Sequence, residues 1–429
     1  MSPESAAAQP SGSDTAVQTA LLLARLRAVG VAPATVSDAV LAAAAAAACH
    51  NGRRIIRIHG AATSTDVLVL GWDGDTAPAA GLVSPQLWLG LSPVPTLVWA
   101  ACLRAAWPEP GLAPFPGRPF PKTGIVSLCS ALGADRKSVE QALERTLPDA
   151  HLIVAEKTVC RLGAAVAALP PAVVEGLRRG HHLLPAPQAD APDLEQLPVP
   201  GQASAHEIPA ETDAVPEASD PYVVRSAIAA LETARRPVPR GALPLLADPA
   251  MRSAAEEILR PCGRQLLQTA DGNWTTGFCD SVADALVAEG TGTLGTVDRA
   301  VLALVLLHTV AIPRAQGRHR HSRWTGEPHA VTLAALASNR KISKVAMSAA
   351  LRRLKAAGMV AESTTGHYVP GPALDRLSDE RSSMLWEDLI LVGRPDGHLA
   401  AAIRRRRLAA LPSDDDGRPA DGPAETDHV

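Results

Sequence analysis

One stretch of the chain combines basic and apolar side chains at helical spacing. It reads SKVAMSAALRRLKAAGMV and covers residues 343–360. At 100° per residue, its apolar residues fall on one side of a helix and its basic and hydroxyl side chains on a neighbouring side. Such a helix can pack on a core with one stripe and contact phosphates and base edges with the other. The apolar stripe is Met347, Ala350, Leu351, Leu354 and Gly358, and the polar stripe is Lys344, Ser348, Arg352 and Lys355.

Positive charge is concentrated around this helix. Residues 297–370 contain eleven Lys and Arg and three acidic residues, a net charge of +8, whereas the whole chain carries −3. A basic segment within an acidic protein is typical of a nucleic-acid site. We therefore predict that the helix 343–357 and its flanks bind double-stranded DNA. The residues predicted to contact it are Arg318, Arg320, Arg323, Arg340, Lys341, Ser343, Lys344, Ser348, Arg352, Lys355, Thr365 and His367.

The loop that precedes this helix is also basic. Residues 314–324, RAQGRHRHSRW, contain four arginines, two histidines and one tryptophan. These side chains can hold the DNA backbone beside the groove, or they can form a solvated loop, and the sequence leaves both open. His319 and His321 alternate without nearby acids or cysteines, so they do not predict a metal site.

One glycine motif matches a cofactor fingerprint, but its context does not. Gly290, Gly292 and Gly295 form GxGxxG in GTGTLG, yet the preceding SVADALVAE is helical and no acid follows about 20 residues later. We expect a connection and a helix start there. The chain has no Walker loop, HExxH or GxSxG motif. The six cysteines form no CxxC pair. The sequence therefore predicts neither an enzyme nor a bound cofactor or metal.

The length and composition predict several domains. A chain of 429 residues suits two to four of them, and with 47% hydrophobic but 3% aromatic residues their cores must consist of Ala, Leu and Val. Residues 183–220 are Pro-rich, with eight acidic residues and no Lys or Arg, and predict a disordered linker that divides the chain into halves. The other predicted segments are a disordered start (1–14), a small αα-ββ unit of unknown role (15–80), three modules (84–182, 221–289 and 290–370), a helical region (371–411) and a disordered acidic tail (412–429).

Targeting signals are not evident in the sequence. The first twenty residues lack a basic start followed by an apolar run, so they do not predict a signal peptide. The apolar run Leu41–Cys49 is much shorter than the roughly 20 residues of a membrane span. We expect a cytoplasmic, nucleoid-associated protein that does not interact with membranes.

The predicted elements follow one order three times, at about 95–163, 222–278 and 297–370. Each copy contains helices followed by a hairpin, and in the middle copy the residue pair Asp271-Gly272 predicts the hairpin turn. No repeat is visible at the level of residues. The fold class predicted from this order is mainly α with small β-hairpins (α+β).

The third copy resembles the winged-helix fold. LRRLKAAGMV followed by a hairpin ending in GHYVP is similar to the recognition helix and wing of MarR- and GntR-type regulators, over about 75 residues. The resemblance implies tandem winged-helix modules joined by a disordered linker, with the helix in the DNA major groove and the wing tip at the backbone or minor groove. Tandem winged helices also occur in ScpB and MukE, partners of chromosome-organising complexes, and in plasmid replication initiators.

Two kinds of function are consistent with this resemblance. The first is a transcriptional regulator that binds double-stranded DNA, as a homodimer or with another protein. The second is a ScpB- or MukE-like interaction subunit of a chromosome-maintenance complex. A replication initiator is a third possibility, intermediate between these two kinds of function. The net charge of +8 in residues 297–370 favours the first.

Overall fold

The fold comes from a computed structural model, in which the chain forms two compact units. Unit 1 comprises Met1–Leu294 with Asp375–Ser378, and unit 2 comprises Gly295–Leu374 with Asp379–Val429. The described residues form helices and four small antiparallel sheets, so the predicted α+β class is confirmed. The structure describes residues 12–59, 66–73, 91–186, 204–210, 221–318, 324, 329–338 and 341–409.

Unit 1 begins with two packed helices and a sheet. The side chain of Ser37 caps the second helix by accepting a hydrogen bond from the Val40 amide at 3.4 Å. The first helix begins at Gly12, inside the segment 1–14 that we predicted to be disordered, and Asp14 lies in its first turn, where a negative charge is favourable. The elements are α1 (Gly12–Val29), β1 (Val31–Pro33), α2 (Asp38–His50), β2 (Arg53–His59) and β3 (Val67–Trp72).

Part of the predicted linker belongs to this sheet. Strand β7 (Ser204–Glu207) pairs antiparallel with β2, giving the order β1-β3-β2-β7. The prediction of disorder is therefore wrong for these residues, because their backbone completes the otherwise unpaired edge of β2. Residues 187–203 and 211–220 lie outside the described residues. The prediction that 183–220 divides the chain into halves is also wrong, since the boundary between the two compact units follows Leu294.

The remaining elements of unit 1 form two further groups. The first group packs around a core that includes Trp107, Phe120 and Leu147. Its elements are α3 (Pro93–Ala106), β4 (Phe120–Pro121), α4 (Lys122–Ala131), α5 (Arg136–Gln141, extended by Ala142–Thr146 and Leu147–Asp149), β5 (Ile153–Ala155), β6 (Val159–Leu162), α6 (Ala164–Ala167) and α7 (Pro171–Arg179). The second group is α8 (Pro221–Thr233), α9 (Pro249–Leu259), β8 (Arg264–Gln268), β9 (Trp274–Phe278) and α10 (Asp280–Ala288).

A buried cluster of charges joins the first and last parts of unit 1. The Glu232 side chain in α8 is 1% exposed, and its carboxylate accepts a hydrogen bond from Arg27 of α1 at 2.7 Å. Arg53 of β2 lies 3.7 Å from the same carboxylate and stacks on Trp72, 3.3 Å from the ring centroid. Burial by itself would raise the pKa of Glu232, but the positive charges of Arg27, Arg53 and Arg264 have the larger effect. The pKa of Glu232 is therefore lowered and the carboxylate is ionised. Helices α1 and α10 also share an apolar contact.

Unit 2 is built around one long helix. Helix α11 (Thr296–Leu306) continues through a π-helical turn (Leu307–Ala311) into α12 (Ile312–Ala315). By length and composition this is the one helix among the described residues that could cross a membrane, and 44% of its most apolar window is buried inside the protein. The central helix of a soluble protein has the same properties. The other elements are α13 (Leu333–Ala337), α14 (Lys344–Ala356), β10 (Val360–Glu362), β11 (Tyr368–Pro370), α15 (Asp379–Gly393) and α16 (His398–Ala409).

The same strand pairing and a similar order of elements occur three times. In each copy a short strand or single residue after the first helix pairs antiparallel with the second strand of the hairpin. These pairs are Phe120 with Cys160, Val238 with Trp274, and Val331 with Tyr368. From the spacing of its apolar residues, the segment RGALPLLA in the middle copy is predicted to be the second helix of that copy. It instead forms two short 3₁₀ turns, Arg240–Ala242 and Pro244–Ala247. Pro244 interrupts the backbone hydrogen bonds that a continuous helix requires.

Candidate nucleic-acid interface

Helix α14 is fixed by its two ends and by its apolar stripe. The Ser343 hydroxyl accepts a hydrogen bond from the Ala346 amide at 3.2 Å and so caps the helix. Gly358 ends it with φ +70°, a conformation that favours glycine. Between these ends, the predicted stripe packs against α11, and each of its four side chains is at most 1% exposed. These side chains are Met347, Ala350, Leu351 and Leu354.

The face of α14 that carries the predicted polar stripe has no negatively charged residue. Lys344 and Arg352 are exposed and Ser348 is half-buried, and no residue from 344 to 356 is acidic. Among the described residues, no carboxylate pairs with Lys344 or Arg352. Val345, which is not among the predicted DNA contacts, is 82% exposed on this face. The face therefore offers cationic and hydroxyl donors beside an apolar side chain.

Two adjacent arginines of α14 differ in their surroundings. Arg353 donates two hydrogen bonds to Asp298 of α11, at 2.9 and 2.7 Å. These bonds lower the pKa of Asp298, against a smaller opposing effect of burial. Arg353 therefore fastens α14 to α11, whereas Arg352 points away from the core.

Lys355 has a partner within unit 2. Its ammonium group forms an ion pair with Glu362 of β10, across the turn between α14 and the hairpin. An exposed pair of this kind is weak and can exchange partners. The predicted contact of Lys355 with DNA therefore has an intramolecular competitor.

The hairpin presents polar residues at its tip. The Thr365 and Ser363 hydroxyls are 2.9 Å apart, and Ser363 also accepts from the His367 amide at 3.2 Å. Gly366 has φ +75° and makes the turn possible. Thr365 is exposed and His367 is half-buried. These two predicted contacts thus lie on a hairpin that directly follows α14.

The other predicted contacts are less well placed. Lys341 is exposed in the bend before α14, and Arg318 is exposed after α12. Within the described part of the chain, no hydrogen bond joins Arg318 to α14 or to the hairpin. The remaining predictions concern residues outside the described ones: Arg320, Arg323, Arg340, His319 and His321.

The glycine motif lies between two helices, where we predicted a connection and a helix start. Helix α10 precedes Gly290, and α11 begins directly after Gly295, so no strand leads into the motif. All six cysteines are free. In the described ranges, no group of three His, Cys, Asp or Glu side chains could hold a metal ion.

The exposed face of α14 in unit 2 offers positive charges and hydrogen-bond donors to a ligand. Lys344, Ser348 and Arg352 lie along one side of a capped helix whose other side is buried. Donors at this spacing can bind phosphates and the acceptor groups of bases. No protein-family model, no curated protein and no solved structure matches the chain.

Proposed function

We propose that unit 2 is a winged-helix module that binds double-stranded DNA with α14 in the major groove. Unit 2 has a helix, the bridge residue Val331, two further helices and a hairpin, and this order supports the proposal. The antiparallel pairing of Val331 with Tyr368 of the hairpin supports it as well. The hairpin β10-β11 then acts as the wing. In this arrangement the wing tip, with Thr365, contacts the DNA backbone or the minor groove.

The outer face of α14 is the observation that carries the proposal. Lys344, Ser348 and Arg352 recur at intervals of four residues, so about one helical turn separates each from the next. Their side of the helix carries no acidic residue. The surrounding segment 297–370 has a net charge of +8, which attracts the phosphate backbone.

The two copies of the same element order in unit 1 suggest tandem winged-helix modules with a different task. Helix α5 corresponds in order to α14, but its Arg136 pairs with Glu140 at 2.9 Å, so part of its charge is neutralised. We assign dimerisation or contact with other proteins to unit 1. The whole chain then acts as a transcriptional regulator in the cytoplasm, associated with the nucleoid, and not as an enzyme.

Selection of duplex DNA tests this function. The full-length protein is incubated with a library of random duplexes, and bound DNA is amplified and sequenced. We expect enrichment of one sequence. Binding should weaken steeply as the salt concentration rises, because the bound protein displaces cations from the DNA phosphates. Arg352→Glu should abolish this binding, and Lys137→Glu in α5 should leave it nearly unchanged.

Other outcomes would overturn parts of the proposal. A loss of binding in Lys137→Glu instead would move the DNA site to unit 1. Failure of the folded wild-type protein to bind any duplex would refute DNA binding. If Arg352→Glu then disrupted a complex with another protein, α14 would be a protein-interaction surface, as in the ScpB- and MukE-like alternative.

A further inference from the structure

The most exposed large apolar side chain described in the protein lies on α14. Val345 is the second residue of the helix and is 82% exposed. A β-branched residue does not favour a helix, and an exposed one contributes nothing to the core. Neither helix formation nor packing accounts for a valine at this position.

The position of Val345 relates it to Arg352. The two residues are seven apart, so at 100° per residue their side chains leave the helix about 20° from each other. Ala349 lies between them on the same face and is small enough to allow close approach to a surface. Val345 and Arg352 therefore lie on the same side of α14.

We propose that Val345 is a specificity-determining residue that contacts the methyl group of a thymine in the major groove. The inference rests on the proposed function, since it requires α14 to enter that groove. Thymine is the base that presents a methyl group there, and guanine presents two acceptors that suit an arginine. Val345 thus selects a T·A pair, and if Arg352 contacts a base rather than a phosphate, it selects a G·C pair.

The helix geometry predicts how far apart these base pairs lie. Seven residues span about 10.5 Å along a helix, at about 1.5 Å per residue. Base pairs are spaced about 3.4 Å apart along the duplex axis. A helix lying along the groove therefore places the thymine about three base pairs from the guanine. The protein should select duplexes with this spacing.

A double-mutant cycle between protein and DNA tests the contact. The full-length protein and Val345→Ala are titrated with the selected duplex, once with thymine and once with deoxyuridine, which lacks only the methyl group. For wild type we expect the deoxyuridine duplex to bind about four-fold more weakly, equivalent to about 0.8 kcal/mol for one buried methyl. For Val345→Ala we expect the two duplexes to bind equally.

Val392→Ala is the matched control. Val392 is 73% exposed in α15 of the same unit, so its replacement removes the same atoms from an exposed helix position. This variant should discriminate thymine from deoxyuridine as wild type does. Alanine favours a helix more than valine, so Val345→Ala should stay folded, and its circular dichroism spectrum checks this.

The outcomes separate the inference from the proposed function. If the wild-type protein binds a selected duplex but tolerates deoxyuridine at every thymine, the thymine contact is refuted and DNA binding stands. If Val345→Ala discriminates the two duplexes as wild type does, another residue makes the contact and the inference is equally refuted. If wild type binds no duplex, both proposals fail.

Discussion

Glu232 should be the most sensitive charged residue of unit 1. It is 1% exposed and lies opposite Arg27 and Arg53, which are 11% and 14% exposed. Replacing it with alanine would leave these guanidinium groups buried without their carboxylate, while Arg264 adds further positive charge nearby. Removing one partner of a buried pair costs about 3–5 kcal/mol.

This cost can be measured as a local loss of protection from hydrogen exchange. Each loss of about 1.4 kcal/mol from the free energy of unfolding makes such exchange about ten times faster. Amides that exchange only when unit 1 opens should therefore exchange about 100 to 4,000 times faster in Glu232→Ala. The measurement uses the full-length protein, and the informative peptides cover α8 and β8. Glu232→Gln separates the loss of charge from the loss of size and should also be strongly destabilised.

Glu289→Ala is the matched control for this prediction. Glu289 pairs with Arg25 of α1 at 2.7 Å, but the two side chains are 36% and 27% exposed. An exposed pair contributes about 0–1 kcal/mol, so exchange should accelerate by about five-fold or less. If Glu232→Ala resembled Glu289→Ala, the buried cluster would not hold α1 and α8 together, and our account of unit 1 would be wrong.

Two further predictions concern unit 2. Leu354→Ala removes a fully buried side chain from α14 and should lower the stability of unit 2 by about 2–5 kcal/mol. Hydrogen exchange in peptides covering 344–356 should then be faster. Arg352→Ala should leave this exchange unchanged. Arg353 lowers the pKa of Asp298. The pair therefore contributes its full stabilisation of unit 2 above the ordinary aspartate pKa of about 3.9. This contribution is lost as the pH falls through the lowered pKa of Asp298. Asp298→Asn should therefore reduce the thermal stability of unit 2 at pH 7 and approach wild type in strong acid; an equal difference at every pH would contradict this.

Local features of α14 could be predicted because they depend on neighbouring residues. Its start follows from the capping hydroxyl of Ser343, its buried face from the apolar spacing, and its end from Gly358. The hairpin turn near Gly272, with φ +78°, was predictable for the same reason.

Features that depend on distant residues could not be predicted from the sequence. Strand β7 pairs Glu207 with Ile56, about 150 positions earlier, and nothing in either segment specifies this partner. The cluster around Glu232 brings together charges from four separate elements. On α14, helical spacing placed Lys355 among the DNA contacts, but it could not show that Glu362 lies beside it.

The salt dependence of DNA binding in two neighbouring variants tests the central claim most directly. Arg352→Ala and Arg353→Ala remove the same charge from adjacent positions of α14, but Arg353 is engaged with Asp298 and Arg352 is not. With the full-length folded protein and the selected duplex, we expect Arg352→Ala to weaken binding by about 1–3 kcal/mol if it contacts a base. If it contacts a phosphate, the salt slope should fall by about one. Arg353→Ala should retain the wild-type affinity and slope, and an Arg352→Ala variant that matched wild type in both would contradict the assignment of α14 as the DNA-binding helix.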